Sequence, residues 1–147
     1  MQTIANHQSV TSERYQRGWQ MLKDIDGEAG EKVIESLQDI APDLARYVIE
    51  FPFGDMYARP GLDLKSREIA TIAALTALGN AQPQLKVHIH AALNVGCTVE
   101  EIIEVVMQMA VYAGFPAALN GMTIVKQVFA EREINSLASG ERKNENS

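Results

Sequence analysis

Residues 96–120, GCTVEEIIEVVMQMAVYAGFPAALN, decide the fold class. Thr98 and Glu101 stand three apart ahead of an apolar run, the pattern of a capping box. The threonine hydroxyl accepts from a first-turn backbone N–H, and the glutamate carboxylate accepts from the N–H of the capping residue. A helix starting at Val99 is predicted. Ile102, Val106, Met109 and Ala113 then recur at helical spacing on one stripe, and Ile103 with Ala110 on another, until Gly114 closes the helix. Pro116 suits the first turn of a last helix carrying Met122, Val125 and Phe129. These apolar faces are broader than one core-facing stripe requires, so they predict contacts between subunits.

Working back toward the N-terminus, Pro83 suits the first turn of a helix that stops at Gly96. Asp63 can cap another that ends near Gly79, with Leu64, Ile72 and Leu75 along one side. Arg59-Pro60-Gly61 reads as a tight turn, with the proline presetting φ and the glycine tolerating φ > 0. Ahead of it, FPFGDMYARPGLD (51–63) breaks the pattern of a short helix that begins at Pro42 and carries Leu44, Tyr47 and Val48. Two more helices are expected. One covers Ser12 to Ile25, with Tyr15, Trp19 and Leu22 in helical register, and the other covers Glu31 to Ile40, with glycines 27 and 30 lying between them. No segment alternates as a strand does. The expectation is an all-α chain of six to seven helices, forming one domain over residues 13–137 between a flexible N-terminal tail (1–12) and a disordered C-terminal tail (138–147, ASGERKNENS).

Bulk composition narrows the function classes. With 13 basic and 19 acidic residues among 147, a net charge of −6 and no long basic run, the chain lacks the electrostatic footprint of a nucleic-acid binder. No stretch approaches about 18 consecutive apolar residues, so no membrane span is expected. The opening MQTIANHQSV has neither a basic nor an apolar leader region, which points to the cytoplasm. One cysteine, Cys97, rules out an intrachain disulfide or a Cys-x-x-Cys motif.

Two residues carry the chemistry best. Glu68 lies four residues from both Leu64 and Ile72, so it projects from the apolar side of its helix. Desolvation there raises a carboxyl pKa toward neutrality and suits it to proton transfer. The alternative is a carboxylate that favours the helix N-terminus or pairs with a basic residue. His88 sits on the stripe Leu85, His88, Ala92, Val95, with Gln84 one turn earlier on the same face. Taken alone it reads as a hydrogen-bonded core histidine. Glu68, Gln84 and His88 come, however, from consecutive helices joined by a short loop, which pack antiparallel and bring their polar groups together.

His90 is two residues on, about 200° round a regular helix, so it cannot share one metal ion with His88. It is left either as a third catalytic candidate, facing another subunit's pocket, or as an interface histidine. Arg59 and Lys86, together with Lys65 and Arg67, are cations that can hold an anionic substrate or simply remain solvated. Cys97 reads as a small buried residue, with a reactive thiol as the alternative.

The segments GDMYARPGL (54–62), REIATIAALTALG (67–79), QLKVHIHAALNVGCTVEEIIEVVMQMAVYAGFPAALN (84–120) and KQVFAE (126–131) resemble the carboxymuconolactone decarboxylase family, over roughly residues 13–132. The resemblance implies an all-α fold around a helical hairpin, of the alkyl hydroperoxidase D-like superfamily, assembled as a trimer or hexamer. It also implies cofactor-independent and metal-independent decarboxylation of 4-carboxymuconolactone. His88, Glu68 and His90 become the catalytic candidates, and Arg59, Gln84 and Lys86 the substrate-binding ones. The hydroperoxidase D pattern of a glutamate, a Cys-x-x-Cys pair and a following histidine is matched at Glu68 and His88. Ala81 and Gln84 stand where its two cysteines stand. Two other functions remain open at this level: a thiol redox protein using Cys97 between subunits, and a non-enzymatic oligomeric binder of small molecules.

Overall fold

The computed structural model describes residues 11–134, and all regular structure among them is helical. The expected C-terminal tail and nearly all of the expected N-terminal tail lie outside the described residues. Where the sequence suggests a single domain over 13–137, internal contacts divide the chain into two compact units with the boundary between Gly61 and Leu62.

The first unit starts with α1 (Glu13–Leu37), capped by Ser12, whose hydroxyl accepts from Tyr15 N–H at 3.0 Å. The expected break at the glycines is a one-residue kink instead of a loop. Gly27 takes φ 56° and ψ −139°, a left-handed conformation that redirects the chain within one residue, and helix resumes immediately. Gly30 lies inside the resumed helix, where a Cβ would come within 2.7 Å of Asp26 Cβ and 2.9 Å of Leu22 Cδ2. That close approach, not a turn, explains the second glycine.

After α2 (Pro42–Val48), which has its proline in the first turn as expected, the segment that breaks the 3.6-residue pattern is not irregular. Residues Ile49–Tyr57 form a π-helix with Pro52 inside it. Its wider turn has no signature in a search for 3.6-residue periodicity, so the sequence shows only that the α pattern stops. Glycines fit it against α1: a Cβ at Gly18 would overlap the carbonyl oxygen of Ile49, and one at Gly54 would lie 2.6 Å from Arg14 O. Arginines then hold it. Arg14 pairs with Asp55 at 2.7 Å and with Glu50 at 3.3 Å, and Arg17 Nε donates to Gly54 O at 2.7 Å. The turn at Pro60–Gly61 is present, but Gly61 does not adopt the positive φ anticipated for it.

The second unit contains α3 (Leu64–Leu78), α4 (Gln82–Asn94), α5 (Val99–Ala113) and α6 (Phe115–Glu131), close to the boundaries read from the caps. Asp63 accepts from Ser66 N–H at 2.7 Å, Gly79 ends α3 at φ 75°, and both halves of the Thr98–Glu101 capping box are formed, at 2.9 and 3.1 Å. Ile72, Leu85, Ile89, Ala92, Ile102, Val106, Val125, Val128 and Phe129 form a buried cluster shared by all four helices. On α5 the buried stripe narrows to Ile102 and Val106, while Met107, Val111 and Tyr112 are exposed, as are Phe115 and Leu119 on α6. No helix among the described residues is long and apolar enough to cross a membrane.

Candidate active site

The α3–α4 hairpin builds the site. Glu68, Ile72 and Thr76 follow one another at four-residue intervals on α3, and all three are buried, so Glu68 shares its face with core residues, as its spacing predicts. The short loop after Gly79 returns the chain as α4, which brings His88 opposite Glu68. His88 Nδ1 lies 2.9 Å from Glu68 Oε2. Exposure separates the two partners: the Glu68 side chain is 0% exposed and that of His88 is 21% exposed, so the imidazole is the more accessible of the two. The second carboxylate oxygen, Oε1, is buried with no hydrogen-bond partner among the described residues. A buried carboxylate with one oxygen on an imidazole can orient the ring, stabilise its cationic form and relay a proton.

Gln84 lies one turn ahead of His88 on α4 and is exposed. Lys86 and His90 lie on a different side of α4, in a separate network at the end of α6. Lys86 Nζ pairs with Glu131 Oε1 at 2.5 Å, and His90 Nε2 lies 3.0 Å from Glu131 Oε2. Arg132 completes it. Its Nε donates to His90 Nδ1 at 2.9 Å, and its Nη2 donates to His90 O at 3.0 Å and to Asn94 Oδ1 at 2.6 Å. Because Nδ1 of His90 accepts, Nε2 carries the proton and donates to Glu131, which defines a neutral tautomer clamped on both sides. Lys86 and His90 thus belong to a helix-tying cluster and not to the Glu68–His88 pair. Sequence reading missed its other half: Glu131 and Arg132 are adjacent charges at a helix end, and nothing local distinguishes them from solvated surface. The Lys86 ammonium, followed by His90, holds the Glu131 carboxyl below its ordinary value. Arg59 is an exposed residue of the first unit.

Cys97 is 5% exposed, and its thiol donates to Lys65 O at 3.7 Å. Burial, then the Glu101 carboxylate, pushes the thiol pKa up, against a smaller opposing effect of Lys65. A thiol in that state is a poor nucleophile, which counts against the thiol redox alternative.

A family model described as the carboxymuconolactone decarboxylase family matches residues 42–127, a span that takes in Glu68, Gln84 and His88 and stops short of Glu131. The chain is also 32% identical over 123 residues to 4-carboxymuconolactone decarboxylase of Acinetobacter baylyi, covering 83% of this chain and 91% of that protein. The chain belongs to the carboxymuconolactone decarboxylase family. Two further relatives match over 86% of the chain. One is an uncharacterized 15.0 kDa protein of Paracoccus denitrificans, 31% identical over 127 residues and 95% of its length. The other is the nitrosuccinic acid decarboxylase of Metarhizium robertsii, 28% identical over 130 residues and 89% of its length. Membership in the carboxymuconolactone decarboxylase family, with two relatives named for decarboxylation, supports a decarboxylase.

Proposed function

We propose that the protein is a cofactor-independent carboxy-lyase that acts by general acid–base catalysis on 4-carboxymuconolactone or on a related small carboxylated lactone or enolisable acid. The observation that carries this reading is the buried Glu68 carboxylate 2.9 Å from His88 Nδ1, with the imidazole as the more accessible partner. With Glu68 ionised, Nδ1–H donates to it, and Nε2 becomes the nitrogen that exchanges a proton with substrate.

The substrates in the two decarboxylase names share one chemical demand. When the C–C bond to the carboxylate breaks and carbon dioxide leaves, the electron pair is taken up by a conjugated lactone carbonyl in one and by a nitro group in the other. What remains for the protein is to orient the acid and return a proton to carbon. His88 delivers that proton from its imidazolium form, Glu68 stabilises the cation before transfer, and the Gln84 amide donates to a substrate oxygen. The working form is proposed to be a trimer or hexamer. The exposed apolar side chains Met107, Val111, Tyr112, Phe115 and Leu119 support contact between copies.

The test is turnover of 4-carboxymuconolactone, followed by carbon dioxide release, for the natural protein and His88→Ala, with unchanged oligomeric size as the folding control. The natural protein should turn over, and the variant should lose about 100-fold to 10,000-fold in kcat. Inactivity of the natural protein on this lactone and on a panel of enolisable carboxylic acids would refute the proposal.

A further inference from the structure

Arg132, the residue that follows α6, donates to three acceptors on α4: the His90 ring at 2.9 Å, the His90 carbonyl at 3.0 Å and the Asn94 side-chain carbonyl at 2.6 Å. One of the three is a main-chain atom, so the guanidinium grips the helix itself and not only its side chains. Glu131 takes the other nitrogen of the same ring and is fixed in turn by Lys86.

The turn that presents Arg132 is strained. Glu133 adopts φ 56°, the sole positive value at a non-glycine residue among the described residues. Its N–H donates to Ala130 O at 3.2 Å, and Ile134 N–H donates to Phe129 O at 2.9 Å, the paired bonds of a Schellman turn. Glycine is the usual occupant of that left-handed position, because a side chain there crowds the backbone. Such strain persists only where the surroundings over-determine it. Here Ile134 packs against the core shared by α3 to α6, which pins the chain on the far side of Arg132.

What the grip controls is the rotation of α4 about its axis. At about 100° per residue, buried Leu85, Ile89 and Ala92 form a core face, with His88 on one flank and Lys86, His90 and Asn94 on the other. Burial of aliphatic side chains is non-directional, so this face keeps α4 in the core without closely fixing its rotation. Directional bonds on both flanks do so: His88 to Glu68 at 2.9 Å on one, the Arg132 fork on the other. A rotation of about 10° moves a side-chain tip, about 5–6 Å from the helix axis, by about 1 Å. Misplacing a reacting group by about 1 Å can cost about 100-fold in rate.

We propose that Arg132 is a positioning residue for His88: by gripping the far flank of α4 it holds the imidazole in register with Glu68 and with the substrate carbon to be protonated. This inference rests on the decarboxylase reading of the Glu68–His88 pair.

Arg132→Met removes the grip, and Arg132→Lys keeps the charge but not the planar fork that serves three acceptors at once. The cluster is exposed and exposed ion pairs add little stability, so both variants should melt within about 2 °C of the natural protein. Both should nevertheless lose about 10-fold in kcat with KM nearly unchanged. A second readout needs no turnover. Nitrogen-15 NMR of the His88 ring should show a slowly exchanging proton on Nδ1 in the natural protein and a several-fold faster exchange of it in both variants. Natural kcat or an unchanged His88 proton in Arg132→Met would overturn the positioning role. Arg132→Lys that matches the natural protein would mean that charge alone suffices, and would overturn the three-point grip. A natural protein inactive on every acid tested, whose His88 proton still loosens in the variants, would overturn the decarboxylase reading and uphold the grip on His88.

Discussion

Glu68 and His88 differ in how far their neighbours commit them. A carboxylate with no exposure and one oxygen on an imidazole has its position fixed by packing, so replacing it tests chemistry more than placement. Glu68→Gln keeps the shape and a hydrogen-bonding oxygen but cannot hold a negative charge against an imidazolium. It should lower kcat by about 100-fold or more and flatten the pH–rate limb that belongs to the histidine, with a far smaller change in KM. Equal kinetics in the two proteins would remove Glu68 from the mechanism. At Cys97 the raised thiol pKa and the burial predict slow alkylation at neutral pH in the folded protein and rapid alkylation in denaturant, read by mass spectrometry. Glu131 gives the pH prediction. Its carboxyl is held below the ordinary value of 4.5, first by Lys86 and then by His90. A depressed carboxylate adds stability above its unfolded pKa and loses it as the pH falls through the folded one, so the cluster weakens on acidification below about that ordinary value. Lys86→Met should return the Glu131 pKa upward in an NMR titration. Both partners are exposed, so the gain in overall stability from the pair is small.

At the scale of elements, caps were legible and packing was not. Asp63, Thr98, Glu101, Gly79 and Gly114 each act within one turn of their own position, so reading them in order placed α3, α5 and the start of α6 correctly. Thr98→Ala removes the hydroxyl that accepts from Glu101 N–H and should cost about 1 kcal/mol in denaturant unfolding. The π-helix eluded the sequence because what holds it is distant: Arg14 and Arg17 stand some forty positions before Asp55 and Gly54, and Gly18 admits the Ile49 carbonyl. Gly54→Ala should cost about 1–3 kcal/mol, since its methyl would meet Arg14 O, a backbone atom with little freedom to move. A neutral effect there would mean that α1 and the π-helix separate easily.

For the whole molecule, the exposed apolar residues at the end of α5 and the start of α6 predict self-association. Sedimentation velocity should give a trimer or hexamer, and charged substitutions at Val111 and Tyr112 should shift it toward monomer; a natural protein that sediments as a monomer would sink that reading. Local chemistry in the sequence determined the helical class, most helix ends, the candidate glutamate and histidine and their likeness to a decarboxylase family, because caps, turn residues and apolar spacing act over a few positions. Only the tertiary structure decided that Glu68 and His88 touch, that Lys86 and His90 are occupied by Glu131 and Arg132, and that residues 49–57 widen into a π-helix. Each of these depends on which distant side chain arrives opposite a given position, and helical periodicity specifies the face a residue occupies but not the partner that meets it.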